Sequence, residues 1–245
     1  MKLGFYPKLA WTGMRSNRKL YLPYLITCIS MVAMLYIVGY LSGAEAVRHL
    51  PGGQFIQESL GLGVWIIALF AGLFLVYSSS FLMRRRKKEF GLYNILGMGK
   101  GHLGMVVFWE TVMTAVISIS GGLVAGIMLS KLSELCIVNI VGGEVDYSLT
   151  ISGRSVITAC IVFAVIFLVI MVKSLWQIRR TNAINLLKSE NVGEKLPRLH
   201  WFWGTLGAVV LGAAYYLALS IEDPLSALFI FFGAVGMVIV ATYLL

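Results

Sequence analysis

The stretch RRRKKEFGLYNILGMGKG, residues 84–101, begins with five consecutive positive charges and lies between two long apolar runs. The runs extend from Leu62 to Met83 and from Leu103 to Leu129. Each is long enough to cross, as a helix, a hydrocarbon layer about 30 Å thick. A basic segment between two such runs is typical of a loop on one side of a membrane. We therefore expect an integral membrane protein.

The composition supports this interpretation. Hydrophobic residues make up 59% of the 245 residues and charged residues 13%, and the mean hydropathy is +0.86, unlike a soluble domain. The sequence predicts an all-α, polytopic helical membrane protein with about six transmembrane helices. The six apolar runs are Tyr21 to Gly43, Leu62 to Met83, Leu103 to Leu129, Val156 to Val172, Trp201 to Leu219 and Leu225 to Leu245.

The distribution of Lys and Arg predicts the orientation. Residues 1–20, 84–100 and 173–198 hold 17 of the 20 positive residues, and positive residues in short loops stay on the cytoplasmic side. Both termini are therefore predicted to be cytoplasmic. This pattern accounts for the net charge of +9 through topology and lipid headgroups, without a nucleic-acid partner. The topology anchors of the central loop are Arg84, Arg85, Arg86, Lys87 and Lys88.

The chain divides into four predicted parts. Residues 1–20 suit a cytoplasmic interfacial helix, although a basic tail that only orients the first span is the alternative. Residues 21–188 form a unit of four spans, 189–200 a cytoplasmic linker, and 201–245 a transmembrane hairpin. The last run ends in VATYLL without the flanking cations of a helix that ends inside, so we expect a truncated chain.

No segment predicts catalytic chemistry. GMGKG, residues 97–101, lacks the spacing of a phosphate-binding loop and no strand precedes it. The three Cys and three His residues have no metal-ligand spacing. The sequence therefore predicts neither an enzyme nor a metal site.

Glu110 is a charged residue within the third apolar run. It lies about 10 Å into the run along a helix, where an acidic side chain is costly and usually paired. A proton or substrate site is one interpretation. A structural acid, paired with a cation near the inner interface or capping a neighbouring element, is the other and is favoured, because ion paths normally use several intramembrane polar groups.

The residues after the basic run predict a short amphipathic helix, opened by Glu89 and closed by Gly97 and Gly99. An exposed apolar face on such a helix must be covered by lipid headgroups or by a protein partner. Leu92, Ile95 and Leu96 share this predicted face, with Phe90 and Tyr93 beside it.

Three segments carry a resemblance to a known family. RRRKKEFGLYNILGMGKGHLGMVVFWE resembles the signature loop of FtsX-like ABC-transporter permeases, in the MacB/FtsX superfamily. KLAWTGMRSNRK is similar to the N-terminal segment of that family, and SLWQIRRTNAINLLK to the segment that ends its helical unit. Together these segments cover residues 8–188 in the expected order.

The resemblance implies a coupling helix near residues 88–99 that docks on a separate ABC ATPase subunit. That subunit would bind and hydrolyse ATP, so this chain would need no cofactor of its own. Glu110 would have a structural role. The residues to which the resemblance assigns docking are Glu89, Phe90, Leu92, Tyr93, Leu96 and Gly97.

The segment after the first span, AEAVRHLPGGQFIQESLG, has no room for the large extracellular domain of MacB- and FtsX-type members. Four spans and a hairpin instead resemble the N-terminal half of the ten-span, bacitracin-resistance type of permease in bacterial plasma membranes. This resemblance implies displacement of an antimicrobial peptide or lipid. The partners it implies are the rest of the permease and a sensor histidine kinase.

Two rival functions stay open. An ATP-independent small transporter or channel would require several polar residues at mid-membrane or broken helices, and the sequence shows neither. A non-transporting assembly or sensor subunit is the other alternative.

Overall fold

The computed structural model describes residues 4–48, 52–95, 97–141, 151–180, 201–219 and 224–244. These residues form helices and, within those ranges, no strand, which confirms the predicted all-α class. The helices are α1 (Phe5–Ser16), α2 (Arg18–Gly43), α3 (Glu45–Arg48), α4 (Gly53–Arg85), α5 (Lys87–Ile95), α6 (Lys100–Val141), α7 (Gly153–Arg180), α8 (Trp201–Leu219) and α9 (Pro224–Leu244).

Four helices, α2, α4, α6 and α7, are long and apolar enough to cross a membrane. They coincide with the first four predicted spans. α8 and α9 occupy the positions of the fifth and sixth, but the described apolar segments there, Gly204–Leu217 and Gly233–Thr242, are shorter. Whether this last pair crosses the membrane stays a prediction, as does the orientation of the chain.

The short segment AEAVRHLPGGQFIQESLG between the first two apolar runs is largely helical where the structure describes it. α3 follows Ala44, and α4 begins at Gly53. Gly52 has φ +73°, a conformation that favours glycine. A Cβ on Gly53 would lie 2.2 Å from the carbonyl oxygen of Val47. The two glycines therefore form a tight turn that starts a long helix.

α6 extends beyond the third apolar run, which ends at Leu129. It continues to Val141, so Glu134 lies on this helix. Residues 142–150 lie outside the described residues, as does the linker at 189–200.

The chain forms two compact units, Met1–Asn191 and Val192–Leu245. In the first, α2 packs against α4, α6 and α7. The buried core residues there include Cys28, Val32, Leu35, Leu75 and Phe163. In the second unit, α8 packs against α9.

α2 and α6 approach closely where α6 carries glycines. A Cβ on Gly122 would lie 2.4 Å from the Cβ of Val32, and one on Gly126 would lie 3.0 Å from Cδ1 of Tyr36. Small residues allow such contact between helix backbones in lipid, where van der Waals packing drives association. This contact fixes α6 against α2 and hence the position of Glu110, one end of the candidate site.

Candidate functional site

α5 is a short helix between α4 and α6, and it ends earlier than the predicted segment 88–99. It stops at Ile95, and the N–H of Met98 donates to the carbonyl oxygen of Tyr93 at 3.0 Å. Gly97 has φ +90°. This bond and a left-handed glycine are the features of a Schellman cap. The structure therefore gives Gly97 the role of ending α5.

One side of α5 is exposed. The Leu92 side chain is 55% exposed, Glu89 and Tyr93 are half-buried, and Gly97 is exposed. Leu96, the remaining apolar docking candidate of the helix end, lies outside the described residues. Leu92 is thus the apolar side chain that α5 offers to a partner within the described part of the helix.

Phe90 lies on the other side of α5 and is only 3% exposed. The assignment of Phe90 to the docking surface is therefore wrong in this structure. Because successive helical residues are rotated by about 100°, Phe90 and Leu92 point in nearly opposite directions, and both cannot face one partner. Phe90 attaches α5 to the membrane helices by packing in a cluster with Met83, Leu103, Val107 and Ile178.

Arg86 joins α4 to α5 and is 1% exposed. Its Nη1 lies 2.6 Å from Oε2 of Glu110, and its Nε lies 3.1 Å from Oε2 of Glu89. Nη1 also donates to the Tyr21 hydroxyl. The guanidinium carbon stands 5.0 Å from the centre of the Phe90 ring, close enough for a cation–π contact.

This environment corrects the interpretation of Arg86 as a topology anchor, because a solvated anchor would be exposed. Arg84 and Arg85 are exposed, as an anchor requires, whereas the side chains of Lys87 and Lys88 lie outside the described residues. The basic run therefore contains a residue with a second role that its neighbours Arg84 and Arg85 do not share.

Glu110 is buried and accepts hydrogen bonds from two helices. Arg86 provides one, and the Tyr21 hydroxyl donates to Oε2 at 3.2 Å. The structure thus gives this intramembrane acid a cation partner near one end of α6, as the structural interpretation expects. Removal of Arg86 would leave the Glu110 charge buried and uncompensated, which typically costs about 3 to 5 kcal/mol. Removal of Glu110 would leave Arg86 with only the more exposed Glu89 as a counter-charge.

α1 also contacts this ion pair. A Cβ on Gly13 would lie 3.2 Å from Oε1 of Glu110 and 3.3 Å from Nη2 of Arg86, so the absence of a side chain lets α1 pass close to the charges. Asn17, which follows α1, donates from Nδ2 to Oε1 of Glu89 at 2.8 Å. We call Asn17, Tyr21, Arg86, Glu89 and Glu110 the Arg86 cluster.

The electrostatics of the cluster keep Arg86 charged. Burial alone would lower the pKa of the Arg86 guanidinium. The neighbouring Tyr21 and Glu110 raise it by more than burial lowers it, so the pKa of Arg86 lies above its usual range. A guanidinium with a fixed charge and five donors can bind several oxygens at once. Arg86 uses this capacity to link α2, α5 and α6.

Several members of this site escaped the sequence analysis. Gly13 and Asn17 lie in the segment KLAWTGMRSNRK, but the resemblance of that segment does not single them out, and Tyr21 lies outside it. The roles of all three depend on contacts between helices that are distant in sequence. One signal for Arg86 was available, since it precedes Glu89 by three residues, a spacing that brings side chains together at a helix start. The same spacing does not reveal Glu110.

Exposed basic residues lie at the helix ends next to α5 in sequence. Arg84 and Arg85 at the end of α4 and Lys100 at the start of α6 are exposed, as is Arg179 near the end of α7. Nζ of Lys100 donates to the carbonyl oxygen of Arg179 at 3.3 Å, which ties the start of α6 to the end of α7.

The sequence matches a family model described as FtsX-like permease C-terminal over residues 61–183. The match includes most of α4 and all of α5, α6 and α7. It therefore contains both Arg86 and Glu110. Two members of the Arg86 cluster, Asn17 and Tyr21, precede the matched residues.

Curated relatives are ABC transporter permeases. An uncharacterized ABC transporter permease, YvcS of Bacillus subtilis, is 25% identical over 96% of this chain and 36% of its own length. The bacitracin export permease protein BceB of the same species is 26% identical over 97% of this chain and 38% of its own. BceB of Halalkalibacterium halodurans is 23% identical over 94% and 37%.

The chain spans less than two fifths of the length of these relatives. Its apolar helices and its permease relatives identify it as a membrane protein. The family model covers half of the chain, including the helix that carries Leu92 and the buried ion pair beside it. The chain therefore belongs to the FtsX-like permease family of ABC transporters.

Proposed function

We propose that this chain is a transmembrane part of an ABC transporter and that α5 docks on a separate ATP-hydrolysing subunit. The observation that carries the proposal is the division of α5 into two sides. Leu92 is exposed, while Phe90 on the opposite side is packed against membrane helices. A helix with this arrangement can receive force at one side and transmit it from the other.

The Arg86 cluster supplies the transmission. Arg86 stands at the start of α5 and its side chain bonds to Glu110 of α6 and Tyr21 of α2. Displacement of α5 by the ATPase would either move α2 and α6 with it or break a buried ion pair, which costs several kcal/mol. The two membrane helices should therefore follow α5.

The substrate is proposed from the relatives. Two of them are named as bacitracin export permeases, so we propose that the transporter moves or displaces an antimicrobial peptide or a lipid, in a multi-pass arrangement in the bacterial plasma membrane. Hydrolysis would take place in the ATPase subunit. A sensor histidine kinase and the rest of a longer permease are further partners that the family resemblance suggests.

Coexpression with an ABC ATPase subunit from the same organism tests the docking. Affinity purification of the tagged chain should recover the ATPase, and Leu92→Asp should abolish recovery, since a buried carboxylate would face an apolar pocket. Phe5→Asp is the matched control, because Phe5 is similarly exposed on α1 and lies outside α5. If Leu92→Asp recovers as much ATPase as the unaltered chain, α5 is not the docking helix.

A further inference from the structure

A second buried ion pair lies at the other end of α6. Nζ of Lys131 is 3.1 Å from Oε2 of Glu134, and the hydroxyl of Tyr40 on α2 donates to the same oxygen at 2.7 Å. At about 1.5 Å per residue, roughly 36 Å of helix separates Glu134 from Glu110. This exceeds the hydrocarbon thickness of about 30 Å, so the two pairs lie at opposite ends of the membrane-spanning part of α6.

A cavity of about 310 Å³ adjoins this second pair. Its volume falls within the range of about 300 to 1,000 Å³ that small-molecule sites occupy. Tyr40, Lys131 and Glu134 line one part of it, and Glu45 and Ser152 line another. The cavity therefore brings together polar side chains from α2, α3, α6 and the residues that precede α7.

Glu134 has hydrogen-bonding capacity left over. Both of its bonds, from Lys131 and Tyr40, go to Oε2, and within the described residues Oε1 accepts none. The side chain is only 7% exposed, and Oε1 is not fully enclosed. A ligand or water in the adjoining cavity can therefore donate a hydrogen bond to Oε1.

The charges of the described lining favour a cation. Two carboxylates, Glu45 and Glu134, face one ammonium, Lys131, and that ammonium is already paired with Glu134. The carboxylate of Glu45 adds acceptors to Oε1 of Glu134, whereas Oγ of Ser152 already accepts hydrogen bonds from Ser155. A ligand that fits this cavity would be positively charged and would carry several N–H donors in a small volume.

We propose that the cavity binds a primary ammonium group, placed between Glu134 Oε1 and the carboxylate of Glu45. A lysine side chain of a peptide and the ethanolamine headgroup of a lipid both present this group. The inference does not depend on the ATPase partner, because the cavity lies at the opposite end of α6 from α5. Its test can therefore use the chain alone.

The experiment uses the full chain in phosphatidylcholine nanodiscs, with binding measured by saturation-transfer NMR and titration. The probes are N-acetyl-lysine amide, its neutral isostere N-acetyl-norleucine amide and the anionic N-acetyl-glutamic acid amide. The lysine probe should bind and the other two should bind at least tenfold more weakly. Glu45→Gln should weaken binding of the lysine probe about fivefold, the effect of roughly 1 kcal/mol.

Glu58→Gln is the control, since Glu58 is an exposed acid on α4 that does not line the cavity. Glu134→Gln should also weaken binding, but it removes a buried partner of Lys131, so Glu45→Gln decides the result. Equal binding of the lysine and norleucine probes, preferential binding of the anionic probe, or unchanged binding in Glu45→Gln would each overturn the proposal.

A second arm identifies the source of the ammonium group. Nanodiscs that contain phosphatidylethanolamine should leave binding of the lysine probe unchanged if a peptide is the ligand. Competition by this lipid, but not by phosphatidylcholine, would assign the cavity to the ethanolamine headgroup. Either result requires an ammonium site and supports the proposal.

Discussion

Nη1 of Arg86 lies 2.6 Å from Oε2 of Glu110, and this contact joins the start of α5 to the interior of α6. Arg86 lies between α4, which ends at Arg85, and α5, whereas Glu110 lies in α6, which begins at Lys100. Tyr21 of α2 bonds to both. The ion pair is thus the point at which the short helix α5 meets two helices that are long and apolar enough to cross a membrane.

Glu110→Gln should lower the free energy of unfolding by about 3 kcal/mol, because the buried charge of Arg86 loses its buried counter-charge and keeps only the more exposed Glu89. Unfolding in mixed dodecylmaltoside and SDS micelles measures the change. Glu58→Gln, at an exposed acid, should leave stability within about 0.5 kcal/mol.

The double variant Arg86→Met/Glu110→Leu separates the loss of charge pairing from the loss of packing. Replacement of both members of a buried pair by apolar residues of similar volume is often nearly neutral. We therefore expect the double variant to be more stable than Glu110→Gln. A double variant as unstable as the single one would show that the pair does not act through its charges.

Gly122→Ala should destabilise the chain by about 1 to 3 kcal/mol, the cost of overpacking a tight contact. The added Cβ would lie 2.4 Å from the Cβ of Val32 and 2.8 Å from the carbonyl oxygen of Ile29, so α2 and α6 must separate. Gly121→Ala is the control in the same helix. Its Cβ would meet only the end of the Ile29 side chain, at 3.4 Å, and unfolding in SDS should distinguish the two variants.

The fold was predictable to the extent that it depends on local hydropathy. The runs that become α2, α4, α6 and α7 are apolar over lengths that suit only membrane helices. The turn before α4 was harder, because the sequence PGG predicts a turn without showing how close the backbone comes. The backbone of Gly53 comes so close to the carbonyl oxygen of Val47 that a side chain at position 53 would clash, and α4 begins at this glycine.

The candidate site was predictable only in part. The apolar character of α5 and the cost of a lone acid in lipid indicated Leu92 and Glu110 before any coordinates. The choice of Arg86 required the geometry, because Arg84 and Arg85 are exposed whereas Arg86, at the break between α4 and α5, is buried. The resemblance assigned docking to both Phe90 and Leu92, but positions two apart in a helix differ by an angle of about 200°, so the two side chains lie on opposite sides of α5.

Tyr40→Phe should destabilise the chain by about 1.5 to 3 kcal/mol, since it removes a hydrogen bond to the buried carboxylate of Glu134. Tyr77→Phe serves as the control, because Tyr77 is 72% exposed on α4. Unfolding of both variants in SDS gives the comparison. Equal stability of the two would mean that the Tyr40 bond contributes nothing to the contact between α2 and α6.

The two sides of α5 can be tested independently with Phe90→Ala and Leu92→Ala. Phe90 fills a cluster with Met83, Leu103, Val107 and Ile178, so its truncation should cost about 3 kcal/mol through the cavity it leaves. Leu92 is largely exposed, and its truncation should change stability by no more than about 0.5 kcal/mol.

Recovery of the ATPase should show the opposite order under conditions in which both variants stay folded. Leu92→Ala removes the apolar side chain proposed to enter the partner and should reduce recovery at least tenfold. Phe90→Ala keeps Leu92, so it should reduce recovery of the ATPase less than Leu92→Ala does. It should instead uncouple ATP hydrolysis from movement of α6. Loss of recovery in Phe90→Ala together with normal recovery in Leu92→Ala would reverse the assignment of the two sides, because the partner would then contact the side of α5 that this structure buries.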